Sequence, residues 1–166
     1  MAASKVDIYF FRHGLADWPD WHRPDDERPL NQHGQYETRD VAAYLRGLDL
    51  KIQRILTSPL PRASQTADIV AEFLSAPIEV TKYLDKRFSV RALRKILPAY
   101  ADNIMLVGHE PNFSEVIGKI TGGKIKLRKS GVARVRMDPK KMRGRLDWLL
   151  SPETCRQQKK PTGRSR

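Results

Sequence analysis

The chain has 166 residues, 31 of them basic and 19 acidic, for a net charge of +12; at about 100–200 residues per domain it reads as one domain, long enough to bury a core without staples. A hydrophobic share of 40% with three tryptophans excludes a disordered or fibrous chain, and a single cysteine excludes an internal disulfide and fits a reducing cytoplasm. No apolar run approaches the roughly 18 residues of a membrane span, and the short run before Arg12 does not resemble a signal peptide, so a soluble cytoplasmic protein is expected.

Val6–Phe11 (VDIYFF) is rich in β-branched and aromatic residues and predicts a buried strand that breaks at Gly14. Residues 15–30 hold five prolines or tryptophans and many acids without a period, which predicts a loop. From Asn31 the spacing of Val41, Tyr44, Leu45 and Leu48 predicts a helix ending near Gly47. Ile52–Thr57 predicts the second strand, and Ser58-Pro59-Leu60-Pro61 opens a helix with Ala63, Ala67, Val70, Ala71 and Leu74 on its apolar face. Ile78–Val80 predicts a short strand, and Val90–Leu97 a helix stopped by Pro98. Asn103–Gly108 predicts a further buried strand, followed by a helix capped by Asn112 and ended by Gly122-Gly123. Beyond it Ala133, Val135 and Met137 alternate with Arg134 and Arg136, and Leu146, Trp148 and Leu150 repeat the alternation, which predicts a hairpin at the edge of the sheet. The expected architecture is a single-domain α/β sandwich over residues 1–154, a mostly parallel sheet between helices with a C-terminal antiparallel hairpin. Residues 155–166 predict a basic, disordered tail.

Ligands in such a fold bind beyond the carboxyl ends of the strands. Three predicted strands deliver Arg12-His13-Gly14, Thr57-Ser58-Pro59 with Arg62 one helical turn on, and Gly108-His109-Glu110. Two arginines and two histidines therefore converge on one edge. Guanidinium forks match tetrahedral oxyanions, and helix N-termini beside Ser58 and Asn112 add donors. Positive neighbours disfavour imidazolium, so His13 is expected neutral and nucleophilic, its second nitrogen held by a backbone carbonyl near Gly14.

Four blocks stand in order: Arg12-His13-Gly14, Arg28 to Gly34 (RPLNQHG), Leu56 to Ala67 (LTSPLPRASQTA) and Leu106-Val107-Gly108-His109. Together they resemble the histidine phosphatase superfamily, which includes phosphoglycerate mutase. The short layout, with Ser130 to Ala133 and Trp148 to Pro152 near the end, is most similar to the SixA-like phosphohistidine phosphatases. The resemblance covers residues 6–152 and implies a phosphoglycerate mutase-like three-layer sandwich. It implies His13 as nucleophile, and Arg12, Arg62, His109 and Gly14 as the phosphate pocket. The implied reaction is a metal-independent, cofactor-free ping-pong transfer of a phosphoryl group to His13 and then to water.

Two departures from the family's pattern stand out. Pro19 occupies the position where mutases carry a phosphate-contacting asparagine, and the general acid has only Asp85 as a candidate. A weak acid favours an easily released group such as imidazole, with a pKa of about 6.5. A phosphohistidine-bearing signalling protein is therefore the expected substrate. A small phosphorylated molecule or polyphosphate in the same pocket is the alternative, and a monomer is expected.

The basic third of the chain supports a non-enzyme rival. Residues 119–145 carry eleven lysines and arginines against the single acid Asp138, a candidate stripe for nucleic acid or an acidic partner. The absence of aromatics between 114 and 147 argues against single-strand binding. A solvated sheet edge kept from pairing by its own charges is the plainer explanation. Trp18, Trp21 and His22 either line the pocket mouth or pack their loop down.

Overall fold

Val6 to Phe11 are buried one after another, and a strand covered on both faces belongs at the centre of a sheet with helices on either side. The computed structural model, which describes residues 4–100 and 102–157, places it there. Strand β1 (Val6–Arg12) lies between β4 (Ile104–Gly108), parallel to it, and β5 (Val132–Asp138), antiparallel. With β2 (Arg54–Thr57), β3 (Ile78–Val80) and β6 (Arg143–Leu150) the order is β3-β2-β4-β1-β5-β6. The first four strands run parallel, and β5 and β6 form the antiparallel hairpin.

Alternate residues of each central strand face opposite layers. Tyr9, Phe11, Ile55, Met105 and Val107 pack under α1 (Gln32–Gly47), α2 (Pro61–Leu74) and the C-terminal α5 (Pro152–Gln157). Ile8, Phe10, Leu56 and Leu106 pack under α3 (Val90–Ile96) and α4 (Asn112–Thr121). Phe113 of α4 meets Phe10 and Phe88 edge-on at 5.3 and 5.4 Å. The fold is the expected three-layer α/β sandwich.

Four local expectations are corrected. Pro98 does not simply stop α3; the chain tightens into a 3-10 turn over Leu97–Ala99 that contains it. Asn112 is the first residue of α4 and donates its side-chain amide to the Phe88 carbonyl at 3.0 Å, while Glu110 accepts from the Ser114 N–H. The alternation in β6 breaks at Asp147, because Arg134 pairs with Trp148 but Val135 pairs with Leu146. One extra residue reverses the parity of a strand, so Leu146 joins the α4 side while Trp148 and Leu150 join the α1 side. Finally, the tail does not begin at 155: Cys155 is buried within α5, and Arg156 reaches Glu37 at 3.0 Å. The rest of the expected tail, 158–166, lies outside the described residues.

Candidate active site

The parallel ladder fixes the centre of the site through backbone alone. Arg12 is level with Gly108, and the His13 N–H donates to the Gly108 carbonyl at 3.0 Å, so His13 and His109 are the next residues on neighbouring strands. Their rings lie 5.1 Å apart, centroid to centroid. On the other side of β4 the Ser58 N–H donates to the Val107 carbonyl, which brings the Ser58 hydroxyl within 2.8 Å of His109 Nε2. Arg62 enters from the first turn of α2, where Pro61 begins the helix without needing an N–H partner.

These side chains are buried although polar: His13 is 8% exposed, His109 4% and Arg62 4%. His13 Nδ1 is 2.7 Å from the Gly14 carbonyl, so Nδ1 carries the proton and Nε2 keeps its lone pair. Burial pushes His13 down to about 3, with His109, Arg62 and Arg12 acting the same way and the Gly14 carbonyl opposing them. Burial, then Arg62 and Lys86, push His109 down to about 4. Both rings are neutral at neutral pH. Burial also lowers Arg12 and Arg62, yet a guanidinium stays charged.

A cleft of about 390 Å³ opens over these groups, lined by Arg12, His13, Arg62 and His109 and also by Arg28, Lys86 and Lys129. Arg12 donates through Nη1 to the Leu127 carbonyl at 3.0 Å. Its Nε and the Nδ1 of His109 are buried without a hydrogen-bond partner, the kind of polar atom that calls for a ligand. The cleft thus offers a neutral imidazole among five cations, an arrangement suited to gripping a tetrahedral dianion beside a nitrogen nucleophile.

The loop after β1 closes one wall. Asp25 accepts from Arg62 at its carbonyl (2.9 Å) and its carboxylate (3.3 Å), and also meets Arg28 at 2.7 Å and Lys86 at 3.2 Å. Asp17 pairs with Lys129 at 2.8 Å, and Asp26 with Lys86. Sequence reasoning gave Arg28, Lys86, Lys129 and Asp25 no part in this site, and counted Lys129 with the basic stripe. Arg28 stands in one of the four blocks and was legible there. The others had no local signal, because Lys86 and Lys129 meet their acids across 61 and 112 residues of chain.

Several expected site residues do not take part as expected. Gly14 is not a phosphate donor: its N–H is given to Thr66 Oγ1 at 3.0 Å and its carbonyl to His13. It is glycine because a Cβ there would lie 2.7 Å from Thr38 Oγ1 and 3.0 Å from Ser130 Oγ. Asp85 does not line the cleft. Its carboxylate binds the Arg87 side chain and backbone N–H, which hold it below the usual carboxylate range, so it is an ionised turn residue rather than an acid. Pro19, Trp18, Trp21 and His22 are also absent from the lining. Both indole N–H groups bind carbonyls of their own loop, at Pro29 and Pro24.

Sheet order, layers and the paired histidines over a cationic cleft define an α/β phosphatase-like protein. The model of the histidine phosphatase superfamily (branch 1) matches residues 8–89. An uncharacterized protein of Picosynechococcus is 35% identical over 86% of this chain and 92% of its own length. The phosphohistidine phosphatase SixA of Escherichia coli is 28% identical over 89% and 94%. The structure of the protein histidine phosphatase SixA complexed with tungstate covers 89% of this chain and 97% of its own, with a TM-score of 0.78 and 28% identity. A phosphoglycerate mutase from Bacillus anthracis, at 13% identity and a TM-score of 0.74, covers 95% of this chain and 98% of its own and shares the fold. The chain belongs to the histidine phosphatase superfamily and is a metal-independent phosphatase of that group. No helix among the described residues is long and apolar enough to cross a membrane.

Proposed function

We propose that this protein removes the phosphoryl group from phosphohistidine on a partner protein, through a covalent intermediate on His13. The observation that carries the reading is the hydrogen bond from His13 Nδ1 to the Gly14 carbonyl, which leaves a neutral Nε2 beside Arg12, Arg62 and His109 in one cleft. Nε2 attacks phosphorus and the P–N bond of the substrate breaks. The substrate ring, protonated by solvent at its other nitrogen, leaves as neutral imidazole. Water then attacks phosphorus, the P–Nε2 bond breaks, and phosphate leaves with His13 restored. Arg12, Arg62 and the Nδ1 of His109, carrying its proton while Nε2 accepts from Ser58, stabilise the equatorial oxygens.

The choice of leaving group rests on proton supply. Asp25 in the cleft wall is held below the usual carboxylate range: burial raises it, but Lys86, Arg62 and Arg28 together outweigh that, so it is no proton donor. An alkoxide needs a proton to leave, whereas imidazole, with a pKa of about 6.5, departs readily. The likeness to SixA, a phosphohistidine phosphatase, supports the same substrate class, and tungstate in a SixA structure is a tetrahedral oxyanion of the kind this cleft suits.

The test is a single turnover with a phosphohistidine-bearing protein and, in parallel, p-nitrophenyl phosphate, followed by intact mass after alkaline quench. The expected result is a transient, acid-labile phosphate on the wild type, formed faster from phosphohistidine and absent in His13→Ala. An adduct from the ester alone would move the substrate to small molecules. Undiminished hydrolysis by His13→Ala would overturn the mechanism.

A further inference from the structure

The cations that gave the rival reading its weight sort into three groups. Arg134 and Arg136 bind the buried Asp7, Arg145 binds Asp147, and Lys129 binds Asp17. Lys140, Lys141 and Arg143 sit in the hairpin turn and on β6, the edge strand, where charge discourages pairing with another sheet. Neither explanation covers Lys119, Lys124, Lys126 and Arg128. All four are exposed and lie at the end of α4 or in the loop leading to β5, an interior strand; none makes a close ion pair among the described residues, Arg128 interacting only at longer range with Glu153.

That loop is tied to the candidate active site. The Leu127 carbonyl accepts from Arg12, and the Leu127 N–H donates to Ser114 Oγ, which in turn donates to Glu110 beside His109. A groove of about 410 Å³ runs between α4 and the loop, floored by Pro111, Gly118, Gly123 and Ile125 and edged by Lys119 and Lys124, with Glu115 the one acid in its lining. Pro111 lines both this groove and the cleft, so the two are neighbours on one face. Clustered like charges repel one another in the free protein, and an acidic partner relieves that repulsion.

We propose that the groove and its basic rim form a docking site for an acidic segment of the phosphorylated protein, a few residues from the phosphohistidine, with an apolar side chain seated against Pro111 and Ile125. This rests on the phosphohistidine reading above. A peptide suits the groove better than nucleic acid, because no aromatic side chain lines it to stack on a base.

The experiment compares wild type with Lys124→Glu/Lys126→Glu, both positions being exposed loop residues. The probes are two synthetic phosphohistidine peptides, one with glutamates and a leucine beside the phosphohistidine and one with glutamines in their place, and phosphoimidazole. The expected result is a preference of about tenfold in kcat/KM for the acidic peptide, carried by KM. It shrinks in about 1 M salt, where the Debye length is about 3 Å, and is lost in the double variant, while phosphoimidazole turnover is unchanged. Equal rates on the two peptides, or a preference that survives the double substitution, would overturn the docking site and leave the phosphatase reading standing. If neither phosphohistidine peptide nor phosphoimidazole is hydrolysed, that reading fails instead, and anisotropy of the unphosphorylated acidic peptide decides the docking site: binding lost in the double variant supports it, and no binding by wild type overturns it. Tighter binding of a single-stranded oligonucleotide than of the acidic peptide would overturn it in favour of nucleic acid.

Discussion

At the scale of single residues, the histidines of the cleft trade stability for a reactive protonation state. His13 and His109 are depressed to about 3 and about 4, chiefly by burial, whereas an unfolded chain titrates near 6.5. The unfolded state therefore takes up protons first as the pH falls. Stability is full above about pH 6.5 and declines from there towards 4 and then 3, at a limiting slope of about 1.4 kcal/mol per pH unit for each histidine. Asp7 and the other depressed carboxylates act from about pH 4 downwards, so between about pH 6.5 and 4 the loss belongs mainly to the histidines. Calorimetry of wild type and His13→Asn between pH 7 and 4 checks this: the variant is expected to lose less stability on acidification. Parallel curves would mean that His13 is protonated as easily when folded as when unfolded. The four principal side chains were legible, because each ends a recognisable strand or opens a helix. Gly14 and Asp85 were misassigned because their roles depend on partners, Thr66 and Arg87, that a motif does not name.

At the scale of elements, the same substitution has opposite consequences at two glycines of α1. A Cβ on Gly34 would lie 2.1 Å from the Leu15 carbonyl oxygen, where the loop after β1 presses against the helix. A Cβ on Gly47, in the last turn, meets nothing within 4 Å. Helix propensity alone favours alanine at both by up to about 1 kcal/mol. Gly47→Ala is expected to raise the unfolding free energy by up to about 1 kcal/mol. Gly34→Ala is expected to lower it and to weaken vanadate binding, because the displaced loop carries Asp25 and Arg28 into the cleft wall. Urea titration and a vanadate inhibition constant read the two effects, and a stabilised Gly34→Ala would contradict the close approach. Element boundaries were largely readable from periodicity. The failures fell where tertiary contact overrode it: the bulge at Asp147, the α4 start around Glu110 and Asn112, and the burial of Cys155.

At the scale of the whole molecule, the sheet joins distant charges in pairs. Asp7 on β1 is 3% exposed and holds Arg134 at 2.5 Å and Arg136 at 2.9 Å on β5. Burial raises its pKa, but the bonds to Arg136 and Arg134 outweigh that and keep it ionised. Asp7→Asn would leave Arg136 without its close anion and Arg134 with only Asp147, at 3.8 Å. Because Arg134 and Arg136 are partly exposed, the expected loss is about 2 kcal/mol, a Tm lower by roughly 5 °C. An unchanged Tm would show that solvent already screens the pair. Periodicity, turn chemistry and motif order are local properties, so the chain by itself determined its strands and helices, the α/β class and the convergence of His13, Arg12, Arg62 and His109. Charge pairing and pocket lining depend on neighbours a hundred residues away, and a linear pattern carries no record of them. Only the tertiary structure decided that Asp25 faces Arg62, that Asp7 neutralises Arg134 and Arg136, and that four exposed cations without a close ion pair are left around the groove next to the cleft.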